Sequence, residues 1–364
     1  MKKILTVIGA RPQFIKAAPV SKALREHGGF AEILVHTGQH YDANMSQVFF
    51  DELEIPAPHH NLDVGSGSHG EQTGEMLKRL EPLMVLEKPD VVLIYGDTNS
   101  TLAGALAAAK LHVPVAHVEA GLRSFNRNMP EEINRIVADH LSTLLFCPTK
   151  TAIANLNKEG IAKNVFATGD VMYDVALMFS QKAKRNSTIL STLHLKPGEF
   201  ALVTVHRAEN TDDKDRLTNI FTALDTLTDD CAVVFPLHPR TKKMINSFGL
   251  DRLLKKVNMI EPAGFLDMIR LESSASLIIT DSGGVQKEAY FHRVPCVTLR
   301  DETEWVETVE AGWNRIPGDM TKESILKTVR KMTLPGVKRK TIKEYGDGKA
   351  AVKIVGIMVE VLMS

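Results

Sequence analysis

The segment LIITDSGGVQKE, residues 277–288, is the most informative part of this sequence about the fold. It begins as an apolar run at 277–279, turns through polar residues and two glycines, and continues with a helical pattern. A strand that enters a helix through Ser-Gly-Gly is typical of a doubly wound parallel sheet. The helix N-terminus offers N–H groups to an anion, and Gly283 and Gly284 let a phosphate approach the backbone. The alternative is an N-capped turn without a ligand.

Short apolar runs alternate with longer helical patterns over the whole chain, which is typical of parallel strands covered by helices on both faces. The predicted strands lie at 4–9, 31–37, 91–95, 113–118, 144–147 and 165–168, and then at 200–205, 232–236, 259–260, 276–280 and 295–299. The predicted helices include 15–27, 70–87, 101–111, 131–142, 213–228, 241–248, 266–273, 285–291, 322–332 and 349–362.

A polar segment that ends in Lys-Pro-Gly separates the two series of strands. It predicts an N-terminal Rossmann-like domain at 1–185, a linker at 186–198 and a C-terminal Rossmann-like domain at 199–348. We therefore expect an α/β protein of two doubly wound parallel-sheet domains. In such a protein the C-terminal ends of the strands face each other across a cleft.

The composition favours a globular protein over several other classes of protein. The 364 residues include 44 Lys and Arg against 44 Asp and Glu, so no net charge favours nucleic acid or an anionic membrane as a partner. Three scattered cysteines fit a reducing compartment, and we expect a cytoplasmic protein. No apolar run approaches 18 residues, and Arg11 interrupts the first one, so neither a transmembrane helix nor a signal peptide is expected.

Carboxylates follow neighbouring predicted strands in the first domain. Asp97 follows the strand at 91–95, Glu119 follows the next strand, and Glu131 and Glu132 open the helix after it. These side chains are expected to converge, so that burial and mutual repulsion can shift a pKa into the range used in acid–base catalysis. The alternatives are an N-cap for Asp97 and helix-dipole stabilisation by one of the two glutamates.

Cations and polar groups that suit a diphosphate also follow predicted strands. Arg11 and Lys16 come after the first strand, although both could be solvated charges. Ser282 offers a hydroxyl donor, and Glu288, about one helical turn later, could accept from ribose hydroxyls or be a solvated helix charge.

His206 and His238 end the first two strands of the second domain. No Cys or carboxylate lies at a suitable spacing for a metal site, so a role beside a pyrophosphate or as a proton carrier is favoured. A buried histidine satisfied by the backbone is the alternative for His238. The pair at 59–60 is predicted to lie in a loop.

Nine segments occur in the order typical of a known family. They are GARPQFIK (9–16), TGQHYD (37–42), GDTNST (96–101), HVEAGLRS (117–124), MPEEINR (129–135), HRAEN (206–210), HPRT (238–241), DSGGVQKEA (281–289) and PCVTLR (295–300). Through them the chain resembles the non-hydrolysing UDP-N-acetylglucosamine 2-epimerases from residue 3 to about residue 355. Each segment alone is modest evidence, whereas nine in order are specific.

The resemblance implies a glycosyltransferase-B type fold, with a C-terminal helix at 349–364 that packs back on the first domain. It implies an isomerase that needs no cofactor, removes the C2 proton of a UDP-sugar, eliminates UDP to give a 2-acetamidoglucal, and adds UDP back with inversion at C2. The acid–base positions of the family fall on Asp97, Glu119, Glu131 and His206. Its UDP-binding positions fall on Arg11, Lys16, His238, Ser282, Gly283, Gly284 and Glu288. The implied partner is a UDP-sugar, and the implied assembly is a homodimer.

Several positions depart from the commonest bacterial pattern of the family. Gln13 stands where many members have Glu, and Asp42 and Glu71 replace residues that hold an activating second UDP-GlcNAc in regulated members. We therefore expect no such activation. GARPQF and TEWVE (303–307) resemble the branch that acts on UDP-2,3-diacetamido-2,3-dideoxyglucuronate, whereas GSGSHGEQTG (65–74) resembles archaeal UDP-GlcNAc epimerases.

Three other functions fit parts of this architecture. A glycosyltransferase would need an acceptor site and only one base, and the three carboxylates of the first domain argue against it. A hydrolysing epimerase would release free sugar. A non-catalytic nucleotide-sugar sensor would not need every acid–base position.

Overall fold

The computed structural model describes residues 1–39 and 52–363, so Asp42 lies outside the described residues. The chain forms two compact units, Met1–Val175 with Lys343–Ser364, and Ala176–Ile342. Each unit is built on one parallel sheet covered by helices, which confirms the predicted fold class of two parallel-sheet α/β domains.

The described strands of the first unit are β1 Lys2–Ile8, β2 Phe30–His36, β3 His60–Asn61, β4 Val91–Tyr95, β5 Val115–Val118, β6 Leu144–Cys147 and β7 Val165–Ala167. Those of the second unit are β8 Phe200–Thr204, β9 Ala232–Pro236, β10 Asn258–Ile260, β11 Leu277–Thr280, β12 Cys296–Thr298 and β13 Asn314–Arg315.

Fifteen α-helices lie within the described residues. They are α1 Arg11–His27, α2 His69–Glu87, α3 Asn99–Lys110, α4 Pro130–Leu141, α5 Lys150–Lys158, α6 Val171–Asn186, α7 Ile189–Thr192, α8 Ala208–Thr211, α9 Lys214–Leu227, α10 Pro239–Phe248, α11 Phe265–Ser274, α12 Gly283–Phe291, α13 Val306–Glu310, α14 Lys322–Thr333 and α15 Ala350–Met363. None of the helices in this described part combines the length and apolar character needed to cross a bilayer.

The first sheet has the order β3-β2-β1-β4-β5-β6-β7, and every pair in it is parallel. Its central strand β4 reads VVLIY, and none of these five residues is exposed. Continuous apolar strands of this kind are expected where helices cover both faces. The chain builds outward from β1 to β3 and then returns to β4, so the order reverses between β1 and β4. Side chains that follow Ile8 and Tyr95 therefore lie at the switch point, where doubly wound sheets bind ligands.

The second sheet has the order β10-β9-β8-β11-β12-β13, also entirely parallel. Alternate residues of β8 belong to two cores: Ala201 and Val203 pack with β9 and α9, and Phe200 and Leu202 pack with α11. The order reverses between β8 and β11. The turn after β11, which contains the Ser-Gly-Gly sequence, thus begins at the switch point of this sheet.

The last helix belongs to the first unit. The carboxylate of Asp174 accepts hydrogen bonds from the N–H groups of Ala350 (3.1 Å) and Ala351 (2.8 Å), which lie at the N-terminus of α15. Helix α15 packs against α1 within the same unit. The first unit is therefore made of two separate segments of the chain.

Three stretches of the compact units differ from the predicted domains. Residues 176–185 belong to the second unit, and 343–348 belong to the first. The predicted linker at 186–198 lies inside the second unit and contains α7, whose Leu190 packs in the core with Phe200.

The predicted strands of the two sheets are present with ends shifted by a few residues. Sequence reasoning missed β3, β13 and helices such as α5 and α6. His60, predicted to lie in a loop, belongs to β3, and its Nε2 is 2.9 Å from a carboxylate oxygen of Glu87.

Candidate functional site

The turns after β1 and β4 are tied together by Gln13, which is 1% exposed. Its side-chain oxygen accepts from the N–H groups of Gly9 (2.8 Å) and Ala10 (3.1 Å). Its side-chain nitrogen donates to the carbonyl of Tyr95 (3.0 Å) and to the hydroxyl of Thr101 (3.0 Å). The amide thus makes two accepted and two donated bonds at the switch point, a combination that a carboxylate cannot make.

Lys16 and Glu119 form an ion pair in the first unit, and their side chains are 11% and 7% exposed. Glu119 follows β5 with a φ of +73°, a left-handed conformation that is rare for a residue other than glycine. Gly96, whose φ is +62°, leaves room for the pair. A Cβ atom at Gly96 would lie 3.0 Å from Lys16 Nζ and 3.3 Å from Glu119 Oε2. The structure therefore brings together one predicted acid–base residue and one predicted phosphate contact.

Asp97 follows β4, and its carboxylate pairs with the guanidinium of Arg135 on α4. Thr98, rather than Asp97, caps α3, because its hydroxyl accepts from the N–H of Thr101 at 3.3 Å. The N-cap alternative for Asp97 is therefore wrong. Arg135 was missed by sequence reasoning, although it lies one helical turn after Glu131 and Glu132 in the MPEEINR segment.

Glu131 and Glu132 have different surroundings. Glu132 is 1% exposed, and its carboxylate accepts from the N–H (2.9 Å) and hydroxyl (3.0 Å) of Ser124 and from the N–H of Phe125 (3.0 Å). Arg135 donates to it as well, at 3.1 Å. Glu132 is therefore the structural member of the pair, whereas Glu131 is partly exposed in the first turn of α4.

Arg11 is the first residue of α1 and is partly exposed. It begins the helix directly after the turn that Gln13 holds. Arg11 and Lys16 are thus carried by the same helix, which starts at the switch point of the first sheet.

In the second unit, Asp281 organises the turn after β8. It has no exposed surface and accepts from the N–H groups of His206 (3.0 Å) and Arg207 (3.0 Å). The side chain of Asn210 donates to it as well, at 3.1 Å. Asp281 was not among the predicted site residues. Its position just before Ser282 is the signal that could have found it, because a carboxylate there can reach the adjacent strand end.

Ser282 is the N-cap of α12, and its hydroxyl oxygen accepts from the N–H of Val285 at 3.5 Å. An accepting hydroxyl keeps its own proton, so Ser282 can cap the helix and still donate to an anion. Gly283 and Gly284 are the first two residues of the helix. A Cβ at Gly284 would lie 3.8 Å from an oxygen of Glu288, so the predicted ribose contact lies near the predicted phosphate contact.

A second ion pair lies beside this helix start. Arg300, which is 1% exposed, donates to Glu304 at 2.7 Å. The other oxygen of Glu304 faces Gly283 so closely that a Cβ there would approach it to 2.5 Å. Arg300 and Glu304 were missed as site residues because nothing in their local sequence indicates which turn they contact.

The rings of His206 and His238 lie 5.3 Å apart. His238 is exposed and caps α10, with Nδ1 accepting from the N–H of Arg240 at 3.2 Å, so its ring proton is on Nε2. The buried alternative for His238 is therefore wrong. Loss of solvation lowers the pKa of His206 below its ordinary value, although the charge of Asp281 opposes this shift. His206 is consequently neutral at pH 7 and able to accept a proton.

Metal binding has little support in this arrangement. Among residues 1–39 and 52–363, no three His, Cys, Asp or Glu side chains are grouped so that they could hold a metal ion.

Two curated proteins match this chain over nearly its whole length. A UDP-N-acetylglucosamine 2-epimerase homolog from Methanococcus maripaludis is 54% identical and covers 98% of this chain and 99% of its own. A UDP-2,3-diacetamido-2,3-dideoxy-D-glucuronate 2-epimerase from Pseudomonas aeruginosa is 53% identical and covers 97% and 98%. The family model described as UDP-N-acetylglucosamine 2-epimerase matches residues 22–359.

A solved structure gives the same result at the level of the fold. The crystal structure of the Methanocaldococcus jannaschii UDP-GlcNAc 2-epimerase in complex with UDP-GlcNAc and UDP matches this chain with a TM-score of 0.90. The two sequences are 46% identical, and the match covers 99% of each chain.

Proposed function

The chain belongs to the UDP-N-acetylglucosamine 2-epimerase family, and we propose that it inverts C2 of a UDP-linked N-acetylated amino sugar, converting UDP-GlcNAc to UDP-ManNAc. The observation that carries this proposal is the pair of carboxylates at the C-terminal ends of β4 and β5 in the first unit. Asp97 and Glu119 follow adjacent strands, and each is paired with a cation, Arg135 and Lys16. Paired, partly desolvated carboxylates at strand ends are suited to moving a proton.

The proposed reaction removes and returns one proton. A base takes the proton from C2, the C1–O bond to the diphosphate breaks, and a C1–C2 double bond forms in a 2-acetamidoglucal. UDP then adds back to C1, and an acid delivers a proton to the opposite face of C2. Two acid–base groups are needed for this inversion, and Asp97, Glu119, Glu131 and His206 supply the candidates. His206 is neutral at pH 7, which suits a group that accepts a proton.

Negative charge develops on the diphosphate as the C1–O bond breaks. In the proposal, Arg11, Lys16, Ser282 and the N–H groups at the start of α12 are the groups that offset this charge. His238 donates from Nε2, and Glu288 accepts from the ribose hydroxyls. The reaction neither oxidises nor reduces the substrate, so it needs no redox cofactor.

A second candidate substrate is UDP-2,3-diacetamido-2,3-dideoxyglucuronate. It is favoured by the 53% identity to the Pseudomonas aeruginosa protein, which is named for that substrate. The same C2 chemistry would apply, with different groups at C3 and C6.

Proton NMR in D2O tests the proposed function. The purified chain is incubated first with UDP-GlcNAc and then with the 2,3-diacetamido-glucuronate analogue. We expect deuterium to enter C2 as the manno epimer forms, and the faster substrate identifies the branch. Absence of exchange with both substrates would contradict the proposal, and release of UDP only when an acceptor is added would favour a glycosyltransferase.

A further inference from the structure

His117 lies on β5 with no exposed surface, two residues before Glu119. Its Nδ1 is 2.8 Å from a carboxylate oxygen of Asp139 on α4. Its Nε2 is 2.8 Å from the carbonyl oxygen of Gly96, the residue before Asp97. The imidazole therefore lies between two turns that carry predicted acid–base residues.

Both ring nitrogens of His117 face hydrogen-bond acceptors. A carbonyl oxygen has no proton to give, so Nε2 must donate to Gly96. The second carboxylate oxygen of Asp139 accepts from Arg123 at 2.7 Å and from the N–H of Gly121 at 3.1 Å, so donors other than His117 hold this side chain in its ionised form. Asp139 is therefore a carboxylate, and Nδ1 must donate as well. An imidazole that donates from both nitrogens is positively charged.

The ion pairs around His117 involve two carboxylates and one guanidinium. Asp139 accepts from Arg123 at 2.7 Å, and Arg123 makes two further bonds of 2.7 Å to the carboxylate of Glu159. The side chain of Glu159 is 28% exposed and also lies 4.0 Å from Nδ1 of His140, whereas that of Asp139 is fully buried. Asp139 is therefore the carboxylate whose buried charge a protonated imidazole would offset.

The charged pair fixes two backbone turns. His117 binds the carbonyl of Gly96, whose N–H donates to the carbonyl of Val118 at 3.0 Å, so both sides of this residue are held. Asp139 accepts from the N–H of Gly121 at 3.1 Å, two residues after Glu119. One buried ion pair thereby sets both the turn that directs Asp97 and the strained turn that directs Glu119.

We propose that His117 donates from both ring nitrogens, as an imidazolium ion, and that with Asp139 it is a positioning pair for the reaction at C2. The pair holds Asp97 and Glu119 at the separation that proton removal and return require. The positioning role rests on the proposed function, whereas the charge state of His117 does not.

The charge state is tested by NMR on the full chain labelled with 15N-histidine. The ring signals of His117 are assigned from their slow exchange with solvent and from their NOEs to Gly96 and Val118. We expect two directly bonded N–H cross-peaks and two imidazolium 15N shifts at pH 7. A single unprotonated ring nitrogen at pH 7 would overturn the inference.

The positioning role is tested by His117→Gln, which can still donate to Gly96 but carries no charge. We expect kcat to fall about 100-fold, because small displacements of reacting groups cost that much, while KM and the Kd for UDP change less than about threefold. His60→Gln is the matched control, since it removes another histidine–carboxylate pair of the same unit, at a sheet edge. It should leave kcat unchanged.

A purely structural role predicts the opposite result. His117→Gln would then have a lower Tm and a normal kcat per folded molecule, and the positioning role would be wrong. If His117→Gln does not fold, Asp139→Asn is measured in the same way. Absence of any epimerase activity in the unmodified chain would overturn the proposed function but leave the NMR result intact, so the two failures are distinguishable.

Discussion

At the residue scale, Gln13 joins two turns through four hydrogen bonds of its side-chain amide. We predict that Gln13→Glu lowers the free energy of unfolding by about 1–3 kcal/mol at pH 8, because a carboxylate oxygen would face the carbonyl of Tyr95. The carboxyl introduced by this substitution can donate one hydrogen bond when it is protonated. Folding therefore favours the protonated form and raises the pKa of this carboxyl above its ordinary value. The deficit should therefore shrink as the pH falls toward 5. Urea unfolding of the variant and the wild type at both pH values measures this difference in the free energy of unfolding.

Gln13→Met provides the control for that experiment. It loses both the accepted and the donated bonds at every pH, so its deficit should not depend on pH. Equal deficits for Gln13→Glu at pH 5 and pH 8 would contradict the prediction.

Glu131 and Glu132 are adjacent in sequence and make a matched pair for mutation. Glu132→Gln should lower the free energy of unfolding by about 1–3 kcal/mol, because Arg135 and the donors of Ser124 and Phe125 lose an ionised acceptor. Glu131→Gln should leave the Tm unchanged and lower kcat by about 100-fold. Thermal unfolding and steady-state kinetics separate the two effects, and a reversal of the two phenotypes would show that the roles are exchanged.

Some site residues could be predicted from the sequence because they follow apolar strands directly. Asp97 and Glu119 were proposed in this way, since the end of a strand is visible in the pattern. Their partners were not all visible. Arg135 and Asp281 act across turns that meet only in the folded sheet, and local sequence does not specify which turns meet.

At the element scale, the start of α12 depends on close packing of a glycine. We predict that Gly283→Ala lowers the Tm, because its Cβ would lie 2.5 Å from an oxygen of Glu304, which Arg300 holds in place. Gly284→Ala is the control: its Cβ has no neighbour closer than 3.8 Å, and alanine favours the helix. Thermal unfolding without ligand measures the Tm of both variants. A normal Tm for Gly283→Ala would mean that Glu304 moves freely.

The elements that the sequence predicted best are continuous apolar runs with polar residues close on either side. The runs at Val91–Tyr95 and Ala232–Pro236 were predicted with their observed bounds. The edge strands β3 and β13 have two residues each, which is too short for any period to appear. Helix α7 was missed because it has four residues in a polar stretch, and only the packing of Leu190 shows that it belongs to a core.

At the scale of the whole molecule, the first unit is completed by a segment from the far end of the chain. Burial raises the pKa of Asp174, which holds the start of α15, to about 6, although the N–H groups of Ala351 and Ala350 act to lower it. This value lies above the ordinary value in an unfolded chain, about 3.9, so the folded state binds the proton more tightly. The contribution of Asp174 to the free energy of unfolding should therefore be present at pH 4 and lost as the pH rises through 6.

The prediction is measured as the difference in the free energy of unfolding between wild type and Asp174→Asn. We expect this difference to change by on the order of 1–3 kcal/mol between pH 4.5 and pH 7.5, with wild type favoured more at the lower pH. Other carboxylates titrate in both proteins, and their contributions cancel. A difference that is constant across this range would show that Asp174 has an ordinary pKa.

The two-segment construction of the first unit also bears on how the chain folds during its synthesis. The second unit is one uninterrupted segment, Ala176–Ile342, and leaves the ribosome complete before Lys343 does. Domains generally fold as units while translation proceeds. The unit whose synthesis begins first is therefore completed last. The face of α1 that α15 covers stays exposed until α15 emerges from the ribosome. During that interval we expect the nascent chain to need a chaperone most.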